Sequence, residues 1–470
     1  MSPLKKLLET SLEACQAVEF DYLVIGSGAA GTSTAITLAE QGFNILVVEA
    51  GPLLLTEHIG VSALRHNPNL IKAISSAHSI SSSWHDKEGI SNQEQVWSVA
   101  GGRTLFWGGH TPRFLNSDFA MWPIQAEALQ EDYQWAENFL GVSSTFFANA
   151  SQDYLLELAK IAQINVEAAS LAIHHDAGKT ALPNLIYSGI SRLLSNPRFT
   201  NDSTQVGIHL LCDTKALSLI HQQERIHGLQ VRDQRTQALA QLTAKNYVLA
   251  CGALRSNQLV LNSSMQFDSP VGHKLSEHLF CKGLIRLHQP LKDPIYLHAP
   301  SSEIEPFLFE LHGPLNRTWY DDNHATVWLD WKENTQYLLL YGFGVAEIIP
   351  ENRVILSTNL HGYQVYYQHT GRDHQTFQGM VEKAQRLATS LNGTLEQIEL
   401  QAPGASYHER GGLVMGHNPR ESIVNSQGSF WNYSNLYCTD SAIWPSQGAA
   451  NSCLTITAMA HHLMKKINGF

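Results

Sequence analysis

The 470-residue sequence predicts an α/β fold, and three observations carry that prediction. Residues 20–51 run through an apolar strand, a glycine-rich turn, a helix and a second strand. Far downstream, Tyr247 to Leu259 repeats the passage from strand through glycine turn into helix. From about Cys281 to Gln401, short strands alternate with turns and one long helical stretch. A Rossmann-like parallel sheet to which the chain returns, joined to an α+β region on an antiparallel sheet, accounts for all three.

The first unit sets the frame. Asp21 to Ile25 is the strand, Gly26-Ser27-Gly28-Ala29-Ala30-Gly31 the turn, and Thr32 to Gln41 the helix, which Gly42 ends. Asn44 to Val48 is the second strand, closed by Glu49 and Ala50. In a G-x-G-x-x-G turn the first glycine permits the bend, the second lets backbone approach a pyrophosphate, and the third lets helix and strand pack closely. The phosphates sit on the free N–H groups at the positive end of the helix dipole. Glu49 stands where an acid accepts hydrogen bonds from ribose hydroxyls. The unit predicts dinucleotide binding and by itself does not separate NAD from FAD.

Around it the chain reads as follows. Residues 1–19 form a short amphipathic helix ahead of the first strand. Residues 52–95, with serines from Ser75 to Ser83, are polar and irregular, a surface excursion or lid rather than core. Val99 to Phe114 holds two glycine pairs, Gly101-Gly102 and Gly108-Gly109, around Phe106 and Trp107. Such pairs mark either a tight buried turn or close approach to a ligand, and the aromatics suit a flat ring. Asp118 to Val142 contains a helix with Pro123 near its start, and residues 150–200 continue helically. His209 to Leu211, Ala216 to Ile220, Gly228 to Val231 and Asn246 to Ala250 are strands at hairpin spacing. Thr326 to Trp331, Gln336 to Phe343, Val354 to Leu356 and Tyr363 to Tyr367 are further strands, and His374 to Leu391 is one helix.

Composition excludes several classes. A net charge of −11 with no basic run argues against a nucleic-acid surface. No signal peptide is legible, and the longest apolar stretch, Tyr337 to Ala346, is too short to span a bilayer, so a cytoplasmic location is expected. The six cysteines are scattered and the 23 histidines lack ligand spacing, so neither a disulfide framework nor a metal site is expected.

Two C-terminal segments carry chemistry. Ser406 to Gly416 includes His408, and Asn435 to Ile456 includes a short strand ending at Asp440 and a helix opening over Gly448 to Asn451. That helix start offers free N–H groups and positive potential. Taken alone, Asn451 is a routine N-cap and His408 is more readily a structural histidine than a catalytic one.

In series, the Gly26 turn with Glu49, the Gly101-Gly102 segment, the Leu249 to Ser256 passage, the His408 to Gly416 block and the Asp440 to Thr455 block resemble the glucose–methanol–choline (GMC) oxidoreductase family. The stretch Trp107 to Phe114 is most similar to its pyranose-oxidase-like branch. The resemblance implies FAD. It also implies a Rossmann-like FAD-binding domain of the GMC and p-hydroxybenzoate-hydroxylase type, with an interleaved α+β substrate domain. The expected division is 18–118, 203–280 and 404–470 for FAD, 119–202 and 281–403 for substrate, and 1–17 as an N-terminal helix. The implied cofactor contacts are Gly26, Gly28, Ala29, Ala30, Gly31, Glu49, Ala50, Gly101, Gly102, Thr104, Trp107, Gly108, Cys251, Gly252, Asp440, Ser441, Asn451 and Ser452. His408 and Asn451 match the catalytic pair. Pyranose oxidases carry a flavin-linked histidine where Phe106 stands, so the FAD is expected to be non-covalent.

The implied reaction is oxidation of a CH–OH group of an alcohol, sugar or natural-product intermediate to a carbonyl, with His408 as base and flavin N5 as hydride acceptor. The alternative within the resemblance is a non-redox lyase of the hydroxynitrile-lyase type. The electron acceptor is O2, a quinone or another protein, and self-association into a homo-oligomer is allowed. Tyr320, Trp328, Trp331 and Tyr341 serve either to stack on a substrate or as ordinary sheet core.

Overall fold

A computed structural model describes residues 10–62, 67–87, 89–175, 184–202, 204–315, 335–357 and 362–467. Its centre is a five-stranded sheet in which every pairing is parallel. The spatial order is Leu436–Cys438, Ala244–Leu249, Phe20–Ile25, Ile45–Val48, Ile208–Leu211. Ile25 pairs with both Val48 and Leu249, so neighbouring strands end level with one another. A continuous run of β-branched and aliphatic residues suits a strand covered on both faces, and Leu23, Val24, Ile45, Leu46, Val47 and Val248 are fully buried. Helix Ala29–Glu40 covers one face and packs against the C-terminal helix Ser452–Lys466. From its first strand the chain steps to Ile45–Val48 on one side, while Ala244–Leu249 fills the other. The strand order therefore reverses at Phe20–Ile25, and ligands of open α/β sheets bind in the crevice at such a point.

The second layer is a six-stranded sheet ordered Gly393–Leu400, Leu279–Leu287, Tyr337–Gly344, Phe307–Leu315, Ile295–Ala299, Glu167–Ala168. One face buries Leu279, Cys281, Ile285, Phe309, Leu311, Leu338 and Leu340 with Met380, Ala384 and Leu387 of helix Gly371–Ser390. That helix starts at a capping box, Thr370 with Asp373, which satisfies two of its orphan N–H groups. Side chains alternate across a strand, so the opposite face carries the intervening residues. Register places Lys282, Tyr341, Glu310 and His298 in one row across four strands, and Phe280, Phe343 and Leu308 in the next. This mixed polar and aromatic face is a wall of the candidate site.

Several expectations need correction. Residues 52–95 are not irregular: they contain helix Pro68–His78 and the hairpin Ser79–His85 with Ile90–Trp97. The serine-rich strand is paired on both edges, its second partner being Tyr363–Tyr366, and Trp84 is fully buried among Leu275, Val354, Val365 and Tyr367. Long-range pairing there overrides a polar composition. Residues 150–200 are not continuously helical either, because Leu171–His175 pairs with Asn184–Ile186 between two helices. Pro123 lies outside the helix Gln130–Leu140, which begins only after two 3-10 turns. The N-terminal helix spans Leu12–Gln16, and residues 1–9 lie outside the described residues, as do Tyr320 and the strand expected at Thr326 to Trp331. Of the four strands expected at hairpin spacing, Thr214–Gln222 and Arg225–Asp233 form an antiparallel meander with the additional Leu239–Leu242, whereas Ile208–Leu211 and Ala244–Leu249 pair instead within the parallel sheet. No helix among the described residues is long and apolar enough to cross a membrane.

Candidate active site

Four of the five parallel strands deliver Gly26, Glu49, Gly252 and Asp440 to one edge of the sheet. The glycines of the first turn divide the work. Gly26 has φ +106°, and a Cβ there would lie 2.5 Å from Ala250 O; at Gly31 a Cβ would lie 1.9 Å from Gly26 O. These two let backbone pack on backbone. Gly28 differs: a Cβ there meets nothing within 4 Å, and as the N-cap of helix Ala29–Glu40 it makes no side-chain cap hydrogen bond. Gly252, N-cap of helix Ala253–Asn262, is likewise open and uncapped. Two helix N-termini with unsatisfied first-turn N–H groups thus face the crevice, a fit for a pyrophosphate dianion. Ala29 and Ala30 form the first turn of one of them. Gly102 packs on this loop, 3.4 Å separating its ideal Cβ from Gly28 Cα.

Other expected cofactor residues are already held by the protein. Glu49 Oε2 accepts from Ser27 N (3.1 Å) and Ser27 Oγ (2.7 Å), and Oε1 from Gly51 N (2.9 Å). Ser27 Oγ in turn accepts from Gly101 N at 2.9 Å, tying the two glycine turns together. Asp440 Oδ2 accepts from Gly252 N (2.9 Å) and Ser256 Oγ (2.6 Å), and Oδ1 from Ala442 N (2.8 Å). Thr104 Oγ1 donates to Gly101 O and accepts from Gly189 N. The Trp107 indole N–H donates to Tyr187 O, Cys251 Sγ to Ile25 O and Ser441 Oγ to Glu409 O. Ala50 is buried only in part, directly after Glu49, and the Cβ position of Gly108 lies 3.9 Å from Tyr296 Oη. Ser452 Oγ, buried at the first turn of the C-terminal helix, finds no hydrogen-bond partner among the described residues. An orphaned hydroxyl and two uncapped helix ends on one edge fit a large polar cofactor there.

The proposed catalytic pair sits between this edge and the antiparallel wall. Asn451 is an N-cap by position, but its side chain makes no capping bond. Instead Nδ2 donates to Glu310 Oε1 at 2.9 Å, and Oδ1 lies 2.9 Å from His110 Nδ1. Glu310 is 4% exposed and also meets His110 Nδ1 (3.0 Å), Tyr296 Oη (2.7 Å) and His312 Nε2 (3.0 Å). Burial opposes its charge, yet the His110 and His312 imidazoles outweigh burial and hold the carboxyl well below the usual carboxylate range. His408 packs against Phe343 and pairs Nδ1 to Nδ1 with His278 at 2.9 Å, while His278 Nε2 lies 2.7 Å from Gly448 O. Burial first, then the neighbouring His278, push the His408 imidazole well below its usual pKa, against the raising effect of Glu310. Burial, with Arg410 nearby, brings His278 down to about 4. The loop bearing His408 is held by Arg103, which donates to Tyr407 O and both oxygens of Glu409.

The structure therefore gathers His408 and Asn451 around a shared electrostatic neighbour, Glu310. It adds His110, His278 and Glu310, which the sequence reading passed over. His110 directly follows the second glycine pair, and that adjacency was its only local signal. Tyr341 lines the wall beside His312, with ring centroids 5.4 Å apart. Trp328 and Trp331, the other members of that aromatic group with Tyr320, fall outside the described residues.

Comparison with known proteins identifies the family. The GMC oxidoreductase family model for the N-terminal part matches residues 20–280, more than half of the chain, and the C-terminal model matches 351–460. A 6'''-hydroxyparomomycin C oxidase of Streptomyces lividus is 24% identical over 522 residues, covering 94% of this chain and 90% of its own. A pyranose 2-oxidase of Tricholoma matsutake is 21% identical over 425 residues, covering 78% and 72%. Among solved structures, pyridoxine 4-oxidase from Mesorbium loti superposes with a TM-score of 0.75 at 16% identity, covering 96% of this chain and all of that one. The chain belongs to the GMC oxidoreductases, a family that implies a flavin cofactor.

Proposed function

We propose that this enzyme oxidises a CH–OH group of an alcohol, a sugar or a sugar-containing natural product to a carbonyl, with non-covalent FAD in the crevice of the parallel sheet. When bound, the flavin supplies the hydride acceptor at N5. Gly26 to Gly31 and Gly252 are assigned to the pyrophosphate, and Glu49 to the adenosine ribose. Phe106 has no nucleophilic atom with which to form a flavin linkage. The segments 18–118, 203–280 and 404–470 form the FAD-binding part, and 119–202 with 281–403 the substrate part.

The observation that carries the reading is the environment of His408. An imidazole kept neutral by burial at neutral pH has a lone pair ready for a hydroxyl proton. The nearby Glu310 carboxylate, which raises the His408 pKa, stabilises the imidazolium that forms. Asn451 gives one amide proton to Glu310 and keeps the second for the substrate oxygen. Fixing that oxygen between His408 and Asn451 orients the carbon for transfer. The two relatives described above are oxidases, which favours redox turnover over the lyase alternative.

The test is anaerobic reduction of the purified flavoprotein by alcohols and sugars. Bleaching identifies an oxidoreductase, whereas a lyase stays yellow. Readmitting air separates an oxidase from an enzyme that passes electrons to a quinone or protein. His408→Ala should keep its flavin and lose about 10²-fold or more in the rate of bleaching. A wild-type rate in that variant removes His408 from the role of base.

A further inference from the structure

His278 and His408 meet through their Nδ1 atoms at 2.9 Å, ring planes at 86°. Two neutral imidazoles joined this way need one N–H and one lone pair between them. The Gly448 carbonyl decides which ring supplies which. A carbonyl oxygen only accepts, so His278 Nε2, 2.7 Å away, carries its proton. A neutral imidazole has a single N–H, which leaves His278 Nδ1 as a lone pair. His408 Nδ1 must then donate, and His408 Nε2 is the unprotonated nitrogen. Both rings are held neutral at pH 7 by burial, so the assignment needs no charged form.

We propose that His278 is a positioning residue: anchored by the Gly448 carbonyl, it locks His408 in the Nδ1–H tautomer and so presents Nε2 as the proton acceptor. The proposal rests on the reading of His408 as the base. Freed of His278, the ring is at liberty to carry its proton on Nε2, where it accepts nothing from a hydroxyl.

The anchor itself is rigid. A Cβ at Gly448 would lie 1.9 Å from Asp118 Oδ2, so glycine alone fits where the carbonyl is needed. The neighbouring Gln447 joins the two histidines through their backbones. With its amide turned as its neighbours require, it donates to His408 O and accepts from His278 N, 3.2 Å each. Ring and backbone are thus fixed by the same two-residue strip, Gln447–Gly448.

The experiment is ¹⁵N NMR of ring nitrogens in FAD-loaded, histidine-labelled enzyme at pH 7, with His408 signals assigned by their loss in His408→Ala. The expected spectrum shows a protonated Nδ1 and a pyridine-type Nε2 for His408. His278→Leu removes the acceptor and should move His408 Nε2 toward the protonated type. It should also slow anaerobic bleaching at least about tenfold, against the roughly 10⁴-fold cost of a wrongly tautomerised catalytic imidazole. His278→Asn places a carbonyl oxygen near the lost Nδ1 and should restore both readouts. A protonated Nε2 in the wild type, or an unchanged His408 spectrum in His278→Leu, overturns the proposal. Should His278→Leu fail to fold, the wild-type spectrum decides. Failure of the base reading is distinct: His408→Ala then bleaches at the wild-type rate whatever tautomer the wild type shows.

Discussion

Glu277 holds up the loop that carries His408. Its carboxyl accepts from the Gly404 N–H and, at 2.5 Å, from Ser406 Oγ, which itself accepts from the His408 N–H at 3.2 Å. Burial pushes the acid up to about 8, further raised by Glu409 and only partly offset by the Ser406 and Gly404 hydrogen bonds. A pKa higher in the fold than in the unfolded chain, where it is near 4.5, favours the folded state below 4.5. That contribution is lost as pH rises through about 8, because the unfolded chain ionises first. Denaturation midpoints should therefore fall between pH 4.5 and 8, and Glu277→Gln, which mimics the neutral acid, should flatten that slope. An unchanged slope in Glu277→Gln would place the titration elsewhere. At this scale His408 and Asn451 were legible because each sits inside a local block of recognisable residues. Glu277, His278 and Glu310 were not: the partners that draw them into the site (Gly404 and Ser406, His408 and Gly448, His110 and Asn451) lie more than a hundred residues away in sequence, and nothing local distinguishes them from ordinary strand residues.

The glycine turn and its helix illustrate how one element separates folding from binding. Gly31 has no room for a methyl group, since Gly26 O occupies the place. Gly31→Ala should fail to fold or lose its flavin together with its thermal stability. Gly28 has φ −70° and open space at its Cβ, so Gly28→Ala should leave the melting temperature of the flavin-free protein within a few degrees of wild type. It should nevertheless retain less FAD, because the added methyl enters the crevice assigned to the pyrophosphate. Equal destabilisation of the two flavin-free variants would sink the distinction, and equilibrium dialysis with melting curves reads both quantities. This element was fully legible, strand, turn, helix and acid lying within 32 residues. The hairpin Ser79–His85 with Ile90–Trp97 was not, because part of what holds it is the strand Tyr363–Tyr366, and no window around residue 80 reports that pairing.

Across the whole molecule, Asp132 staples the middle of the chain to its end. Fully buried on helix Gln130–Leu140, it meets His461 Nδ1 (2.7 Å), His462 Nδ1 (2.6 Å) and Lys465 Nζ (2.5 Å) on the C-terminal helix. His461 also stacks on Trp135, ring centroids 3.9 Å apart. Removing the carboxylate leaves Lys465 and the two imidazoles around it without their common partner. Asp132→Ala should lower the melting temperature by several degrees at least, with flavin release following unfolding. A variant as stable as wild type would show that the staple contributes nothing. The C-terminal helix was legible from its pattern. What it docks against was not, because adjacent histidines on a helix, roughly 100° apart, gave no hint that one carboxylate receives both.

The parallel sheet has a consequence for how this enzyme comes into being. Its first strand, Phe20–Ile25, leaves the ribosome well before the edge strand Leu436–Cys438 and the residue Asn451 are made. At roughly 5–20 residues per second, synthesis of the intervening chain occupies about 20–85 s. For that time an apolar strand and a phosphate-type loop exist without the segments that complete the crevice. A crevice complete enough to hold the cofactor therefore waits for the segment carrying Asn451, and until then the partial sheet must keep the first strand from pairing with other chains.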